Sequence, residues 1–402
     1  MILEKHKEKL DARKVRLVSF ISFFMGFLQA LFIYVMSTYF KEASGTENVG
    51  PFYLFSYAVV LMLLLNLHKL VRVFGKSFIF LLSLICKLAS LALLLILPPS
   101  YLSIGALMLY IIAGSLEWVS LDIILESFSI DNMSGSIRGK HLTIINLGYL
   151  VGPFLSTQIL SGFGYEGIFL VLLIANAFLL IIASLGLSRI KDSFSLDFGV
   201  RESLRKIWKR KNILRSYWAS FVLDFFYSLV IIYTPIHLMN LGIPWEKIGI
   251  IFTLMLVPFV LVQYPLGIIA DRKTGEKEWM FFSVLMMGAS TAAMYFISSS
   301  EIWIWATVLF ATRIGAAILE VMRDSYFYKR IDGGDVDVIN FFRTSQSLAY
   351  IASSVMAFLI FTFYTGDPIR VIFLAVAAVI FSALLPIFNL KDNVCAKVVR
   401  KT

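Results

Sequence analysis

Three ionisable side chains, Asp224, Glu117 and Arg313, lie inside long apolar runs of this sequence. Because a charge in hydrocarbon is costly, such residues are candidates for function. A carboxylate in a low-dielectric surrounding can hold a proton near neutral pH, and Asp224 and Glu117 are the candidates for that chemistry. The alternative is that these side chains form buried structural ion pairs. Lys87, in another apolar run, could pair with Glu117 or extend toward the membrane surface.

Two apolar runs end in the same arrangement of acidic residues. Asp122 and Glu126 close the fourth run, Glu320 and Asp324 close the tenth, and each pair is one helical turn apart. This i, i+4 spacing places both carboxylates of a pair on one face of a helix. They are either gate residues that pair with basic loops in one conformation or ordinary charges near water, and the duplication favours a gate at the cytoplasmic end.

Small residues recur at the start of the fifth apolar run, as Gly139, Gly148, Gly152 and Pro153. Glycines four residues apart allow two helices to approach closely. Proline removes one backbone hydrogen bond and permits a kink. Plain helix packing explains a lone pair of small residues, whereas the fuller pattern with Pro153 is more specific.

A short charged loop separates the eighth and ninth apolar runs, and its marked residues are Gly267, Asp271, Arg272, Gly275 and Lys277. The glycines permit a tight reversal of the chain. A weaker copy, with valine in place of the aspartate, lies about 200 residues earlier at 67–76. A motif that recurs at half the chain length indicates a duplicated membrane protein with two similar halves.

The composition is that of a multi-pass membrane protein. Mean hydropathy is +0.83, 59% of the residues are hydrophobic and 15% are charged, whereas a soluble chain has about 25% charged residues. The net charge is +10, but the basic residues punctuate apolar runs, which argues against a nucleic-acid partner. Two cysteines and four scattered histidines predict neither a disulfide framework nor a metal site, and no phosphate-binding loop or other cofactor motif occurs.

A membrane-spanning helix needs about 20 mostly apolar residues, and the sequence contains twelve such runs. The one long polar interruption, 188–213, is predicted to be a basic amphipathic linker on the inner leaflet, or else a solvated tether. It divides the chain into two six-span halves, 1–187 and 214–402. The predicted spans are 16–40, 51–67, 78–98, 102–125, 141–162, 166–187, 214–238, 246–270, 278–298, 302–323, 337–363 and 367–389.

The distribution of lysine and arginine predicts the orientation of the chain. Basic residues concentrate in the termini, the linker and the loops 68–77 and 271–277, whereas the opposite loops carry only Lys41, Lys247 and Arg370. The positive-inside rule therefore places both termini in the cytoplasm. The expected location is the cell membrane.

Over nearly its whole length the chain resembles the major facilitator superfamily of secondary transporters. The 267–277 loop is similar to the signature between the second and third helices of a half, although Gly275 comes one residue later than usual and Glu276 stands where a basic residue is common. The small-residue pattern of the fifth run is similar to that of the drug/proton antiporters of the family, with Ser156 and Thr157 in place of its final small pair.

The resemblance implies an all-α fold of twelve transmembrane helices in two pseudo-symmetric six-helix bundles. It implies that helices 1, 4, 7 and 10 line a central cavity, so that Asp224, Glu117, Arg313 and Gln29 would face it. It also implies that the loop around Asp271 crosses toward the other half, where the carboxylate would cap the start of the fifth helix.

The leading hypothesis is a monomeric secondary transporter, not an enzyme, that exports a small organic solute by alternating access in exchange for protons. The alternative in the same class is proton-coupled uptake of a sugar or metabolite. Outside that class, a membrane-embedded enzyme or lipid-processing protein would need clustered His, Asp or Ser at a membrane face. A non-transporting scaffold would be favoured if intramembrane charges were absent.

Overall fold

A computed structural model describes residues 12–126, 134–187, 208–263, 265–266, 275–331 and 336–391. Over these ranges the regular elements are all α-helices, and the long helices match the apolar runs of the sequence. The helices of the first half are α1 (Ala12–Ile33), α2 (Met36–Ser44), α3 (Gly50–Leu65), α4 (Leu67–Phe74), α5 (Lys76–Ile96), α6 (Tyr101–Glu126) and α7 (Ser134–Leu187).

The second half has the same sequence of long helices. It comprises α8 (Lys211–Asn240), α9 (Trp245–Leu261), α10 (Lys277–Phe296), α11 (Ile302–Tyr328), α12 (Val336–Phe363), α13 (Pro368–Phe381) and α14 (Leu384–Phe388). The last two are separated by a short turn and together make one apolar span, as α1 and α2 do in the first half.

The long helix α7 contains two spans because the chain reverses at Gly164. This residue has φ 65° and ψ −166°, a combination that side chains with a Cβ avoid, so glycine is required there. The turn is anchored by the next residue, since the hydroxyl of Tyr165 donates a hydrogen bond to Thr38 Oγ1 of α2 at 2.9 Å.

The described chain therefore confirms the predicted fold of twelve spans. Nine helical stretches in it are long and apolar enough to cross a membrane. One of these, Ile144–Leu187, supplies two spans, and the shorter helices α3 and α9 supply two more. Most helix ends agree with the predicted ends within a few residues. The exceptions are α7, which begins at Ser134 rather than at 141, and α9, which ends at Leu261 with a turn at Val262 before helical backbone is described again at 263 and 265–266.

The helices pack so that the two halves meet along two helix pairs. Helix α1 packs on α7 inside the first half, and α10 packs on α11 and α13 inside the second. Between the halves, α7 contacts α9 and α3 contacts α12. These two seams bracket the centre of the molecule, where the polar side chains described below are found.

Of the predicted linker 188–213, the structure describes only 208–213, so the amphipathic helix lies outside the described residues. Trp208 is exposed, and α8 begins at Lys211, three residues before the predicted start of the second half. The division into two halves at this linker remains a prediction.

Candidate functional site

A central cavity of about 440 Å³ lies between the two halves. Its wall includes residues of α1, α6, α8 and α11, the helices that the resemblance placed there, and also of α3, α7, α9 and α12. Three of the four residues expected to face it, Gln29, Asp224 and Arg313, do line it. Hydroxyl and amide groups are frequent in the lining, with Tyr34, Tyr53, Tyr57, Tyr110, Tyr149, Tyr227, Tyr350, Asn146, Gln346 and Ser347.

Asp224 of α8 is held by a chain of hydroxyl groups that leads to an arginine. Ser345 Oγ donates to Asp224 Oδ2 at 2.8 Å and is 2.8 Å from Ser220 Oγ. Ser220 in turn accepts a hydrogen bond from Arg323 at 3.0 Å. The carboxylate of Asp224 is thus at the cavity wall and is linked to a nearby positive charge through two serines.

Glu320 of α11 also lines the cavity, although its sequence position predicted a gate. Its Oε2 accepts hydrogen bonds from Gln263 Nε2 at 3.0 Å and, more weakly, from the hydroxyl of Tyr227 at 3.4 Å. Gln263 Oε1 accepts from Asn146 Nδ2 of the first half at 3.0 Å. Glu320 is therefore connected to the opposite half through one glutamine.

This position could have been found in the sequence. Glu320 follows Arg313 by seven residues, which is close to two full helical turns and puts both side chains on nearly the same face of α11. Because Arg313 was expected in the cavity, Glu320 should have been expected there with it.

Glu117 does not line the cavity, which corrects the expectation drawn from the resemblance. Its Oε2 forms an ion pair with Lys87 Nζ at 2.6 Å, and the two side chains are 0% and 4% exposed. The lysine also lies 5.1 Å from the ring centre of Tyr110. The structural alternative for Glu117, a buried ion pair with Lys87, is the arrangement that the structure contains.

The acidic residues at the ends of α6 and α11 have different partners. Asp122 Oδ2 pairs with Arg343 of α12, in the other half, at 2.6 Å. Asp324 pairs with its neighbour Arg323 at 2.9 Å. The side chain of Glu126 lies outside the described residues. Asp122 is thus the one gate candidate among the described side chains for which the structure shows an ion pair between the halves.

Contacts between the halves also occur at the opposite end of the molecule, where the sequence predicted no gate. Lys41 of the first half pairs with Glu47 at 2.7 Å and donates to Asn240 Oδ1 at 2.9 Å. Asn240, at the end of α8, also donates to Glu47 at 2.8 Å. Ser161 of α7 donates to Glu246 at the start of α9. Polar bridges between the halves therefore flank the cavity on both sides.

The small residues of the fifth span bring α7 against α1. A Cβ atom at Gly148 would be 2.6 Å from the carbonyl oxygen of Phe23, and one at Gly152 would be 2.8 Å from the carbonyl carbon of Ala30. Pro153 lies inside the helix, and its carbonyl oxygen accepts from Thr157 at 3.0 Å. The side chain of Thr157 fills the space beside Gly249 of α9. The surroundings of Gly139 lie outside the part of the chain that the structure describes. These contacts match the packing interpretation of the pattern.

Most of the predicted signature loop lies outside the described residues, including Gly267, Asp271 and Arg272. The described end of the loop is tied to α11, because buried Glu276 accepts from Ser325 at 2.9 Å and pairs with Lys329. Gly275 is buried, and Lys277, two residues later, begins α10. The ammonium of Lys277 lies 5.1 Å from the ring centre of Phe388.

An all-helical bundle of twelve spans, with a polar cavity between its halves, defines a multi-pass membrane protein of the transporter class. The chain belongs to the Major Facilitator Superfamily, whose family model matches residues 18–322. The superfamily predicted from the sequence is therefore confirmed, whereas these matches do not single out its drug/proton antiporters.

Among solved structures, the chain is similar to the nucleoside transporter NupG and to a point mutant of it. The mutant structure matches with a TM-score of 0.71 and 12% sequence identity over 94% of this chain and 99% of that chain. The unmutated structure matches with a TM-score of 0.69 and 12% identity over 94% and 100%. At this identity the likeness establishes the fold alone. No curated protein sequence matches the chain.

Proposed function

We propose that this protein is a proton-coupled secondary transporter that takes up a small polar organic solute across the cell membrane, with both termini in the cytoplasm. The observation that carries the proposal is the placement of two carboxylates, Asp224 and Glu320, in the wall of one cavity between the halves. Ionisable side chains inside a membrane protein that face a cavity are typical of proton relays.

The hydrogen bonds of Glu320 suggest how proton binding is linked to movement. A charged carboxylate accepts stronger hydrogen bonds than a neutral acid, so protonation of Glu320 weakens its bond with Gln263. Because Gln263 also holds Asn146 of the other half, the same event loosens a bridge between the halves. The ion pair between Asp122 and Arg343 must then open when this end of the cavity opens.

Uptake replaces export as the preferred direction. The export hypothesis depended on the small-residue pattern of the fifth span, and the contacts of Gly148 and Gly152 account for that pattern by the packing of α7 on α1. The two solved neighbours are described as nucleoside transporters, which favours a polar metabolite over an amphipathic drug as the kind of solute.

The proposal is tested by transport into proteoliposomes with an imposed pH gradient, with labelled uridine, glucose and para-hydroxybenzoate as probes. We expect accumulation when the outside is acidic, as for symport, and none when the inside is acidic, as for antiport. Asp224→Asn and Glu320→Gln should abolish this accumulation but keep exchange of labelled for unlabelled solute.

Glu301→Gln, which changes an exposed carboxylate at the start of α11, is the matched control and should transport as the unmodified protein does. Thermal stability is measured for each variant, so that loss of folding is separated from loss of coupling. Accumulation at the unmodified level in both cavity variants would contradict proton coupling through this site.

A further inference from the structure

The guanidinium of Arg313 is buried in the wall of the central cavity without a hydrogen-bond partner. The residue is 1% exposed, and none of its three side-chain nitrogens has an acceptor among the described residues. A buried group that lacks its partner is costly, and the cost is greater for a charged group. Polar groups of this kind that persist in a binding cavity indicate that the partner is supplied by something else.

Aromatic rings hold the guanidinium in place and leave its N–H groups free. Its central carbon lies 5.1 Å from the ring centre of Phe226 and 5.4 Å from that of Tyr227, both on α8. Distances within about 6 Å allow a cation–π attraction, which stabilises the charge but uses no hydrogen-bond donor. Arginine carries five N–H donors in a planar fork that matches a carboxylate or phosphate group.

The two acidic residues of the cavity do not neutralise Arg313. Glu320 lies about 10 Å farther along the axis of α11 at 1.5 Å per residue and accepts from Gln263 and Tyr227. Asp224 accepts from Ser345 and is linked to Arg323. Each carboxylate therefore has its own donors, and the described part of the chain contains no ion pair of Arg313 within 4.0 Å.

We propose that the transported solute is an organic anion whose carboxylate or phosphate group is bound by Arg313. This inference rests on the proposed function, because it names the class of solute that the same cavity takes. The oxyanion accepts the free N–H groups of the guanidinium, and the remainder of the solute lies among the tyrosines and amides of the lining. A neutral solute of the same shape would leave the buried guanidinium unpaired and would bind more weakly.

The test compares acids with neutral analogues of nearly the same shape. The full-length protein is purified in detergent, and affinity is measured from the concentration dependence of thermal stabilisation. The probe pairs are nicotinate with nicotinamide, para-hydroxybenzoate with para-hydroxybenzamide, and uridine monophosphate with uridine. The first two pairs report on a carboxylate, and the third reports on a phosphate.

We expect at least one acid to bind about tenfold or more tightly than its neutral partner, the difference expected for a charge-assisted hydrogen bond in a buried site. Arg313→Gln should remove this preference without lowering the stability of the unliganded protein. Arg313→Lys should restore it in part, because the charge returns without the planar fork. The control Arg370→Gln, which alters an arginine paired with Asp367 outside the cavity lining, should leave the preference unchanged.

The proposal is overturned if no acid binds more tightly than its neutral analogue, or if Arg313→Gln binds the preferred acid as tightly as the unmodified protein. It is also overturned if Arg313→Gln unfolds at a lower temperature and keeps the full acid preference, since the arginine would then be structural. These results are independent of proton coupling. If the protein prefers an acid but shows no pH-driven accumulation, only the proposed proton coupling is contradicted. If the protein accumulates uridine in a pH gradient and Arg313→Gln does so equally well, only the anion site is contradicted.

Discussion

Removal of one partner of the Lys87–Glu117 pair should destabilise the protein strongly. In Glu117→Gln the ammonium of Lys87 would remain 4% exposed with no carboxylate at 2.6 Å. Breaking a buried ion pair in this way costs about 3–5 kcal/mol. For a folding unit of the size of one half, about 190 residues, each kcal/mol lowers Tm by about 2–4 °C, so the expected decrease in Tm is roughly 6–20 °C.

Removal of both charges should have a much smaller effect, because a buried pair can often be replaced by apolar side chains at little net cost in stability. The double variant Lys87→Met/Glu117→Met is therefore expected to unfold within a few degrees of the unmodified protein. The single variant Lys87→Met, which leaves the carboxylate unpaired, should resemble Glu117→Gln. The four proteins form a double-mutant cycle, and their Tm values in detergent give the coupling between the two residues.

The same variants decide what Glu117 does. If the pair is structural, the double variant keeps pH-driven transport in proteoliposomes. If Glu117 instead carries the proton, the double variant is stable and has lost that transport. Equal Tm values for Glu117→Gln and the unmodified protein would refute the argument that this ion pair stabilises the first half.

Three further outcomes are expected. Gly148→Ala should lower stability by about 1–3 kcal/mol, because the new methyl group meets backbone atoms of α1. The control Gly105→Ala has open space around the new Cβ and should be neutral or stabilising by about 0.5–1 kcal/mol. Thermal unfolding of both variants measures the difference. Asp122→Asn removes the ion pair with Arg343 and should increase the labelling rate of a cysteine placed in the cavity at that end, and unchanged labelling would argue against a gate. Asp367→Ala removes the side chain that caps α13 and should cost about 0.5–2 kcal/mol, which a small decrease in Tm would reveal.

The spans of this protein could be predicted from the sequence because the thickness of a bilayer fixes the length of each apolar run. The run 78–98, for example, corresponds to α5 at Lys76–Ile96. The exception is α9, where the apolar run continues but the helix is interrupted by a turn at Val262, between Pro258 and Pro265. Proline interrupts the hydrogen bonding of a helix without making the sequence less apolar, so hydropathy alone could not place this interruption.

The partners of the charged side chains could be named from the sequence only as alternatives, as the pairing of Lys87 with Glu117 was, or not at all, as for Asp122 with Arg343. Lys87 and Glu117 are 30 residues apart, and Asp122 and Arg343 lie in different halves, so that no local spacing connects either pair. Which face of a helix turns toward the cavity depends on how the bundle packs. Only the i, i+7 relation of Arg313 and Glu320 offered a local signal for the composition of the cavity wall.

The reversal at Gly164 has a consequence for how the protein is made. Because one glycine joins the two spans of α7, almost no polar chain has to pass through the bilayer between them, and Glu166 is the first charge after the turn. Two apolar helices joined so closely can enter the membrane together as a hairpin, with their backbone hydrogen bonds already made. Lengthening this turn with a charged segment should therefore impair membrane insertion before it affects the folded state, and the amount of protein recovered in the membrane fraction would measure that effect.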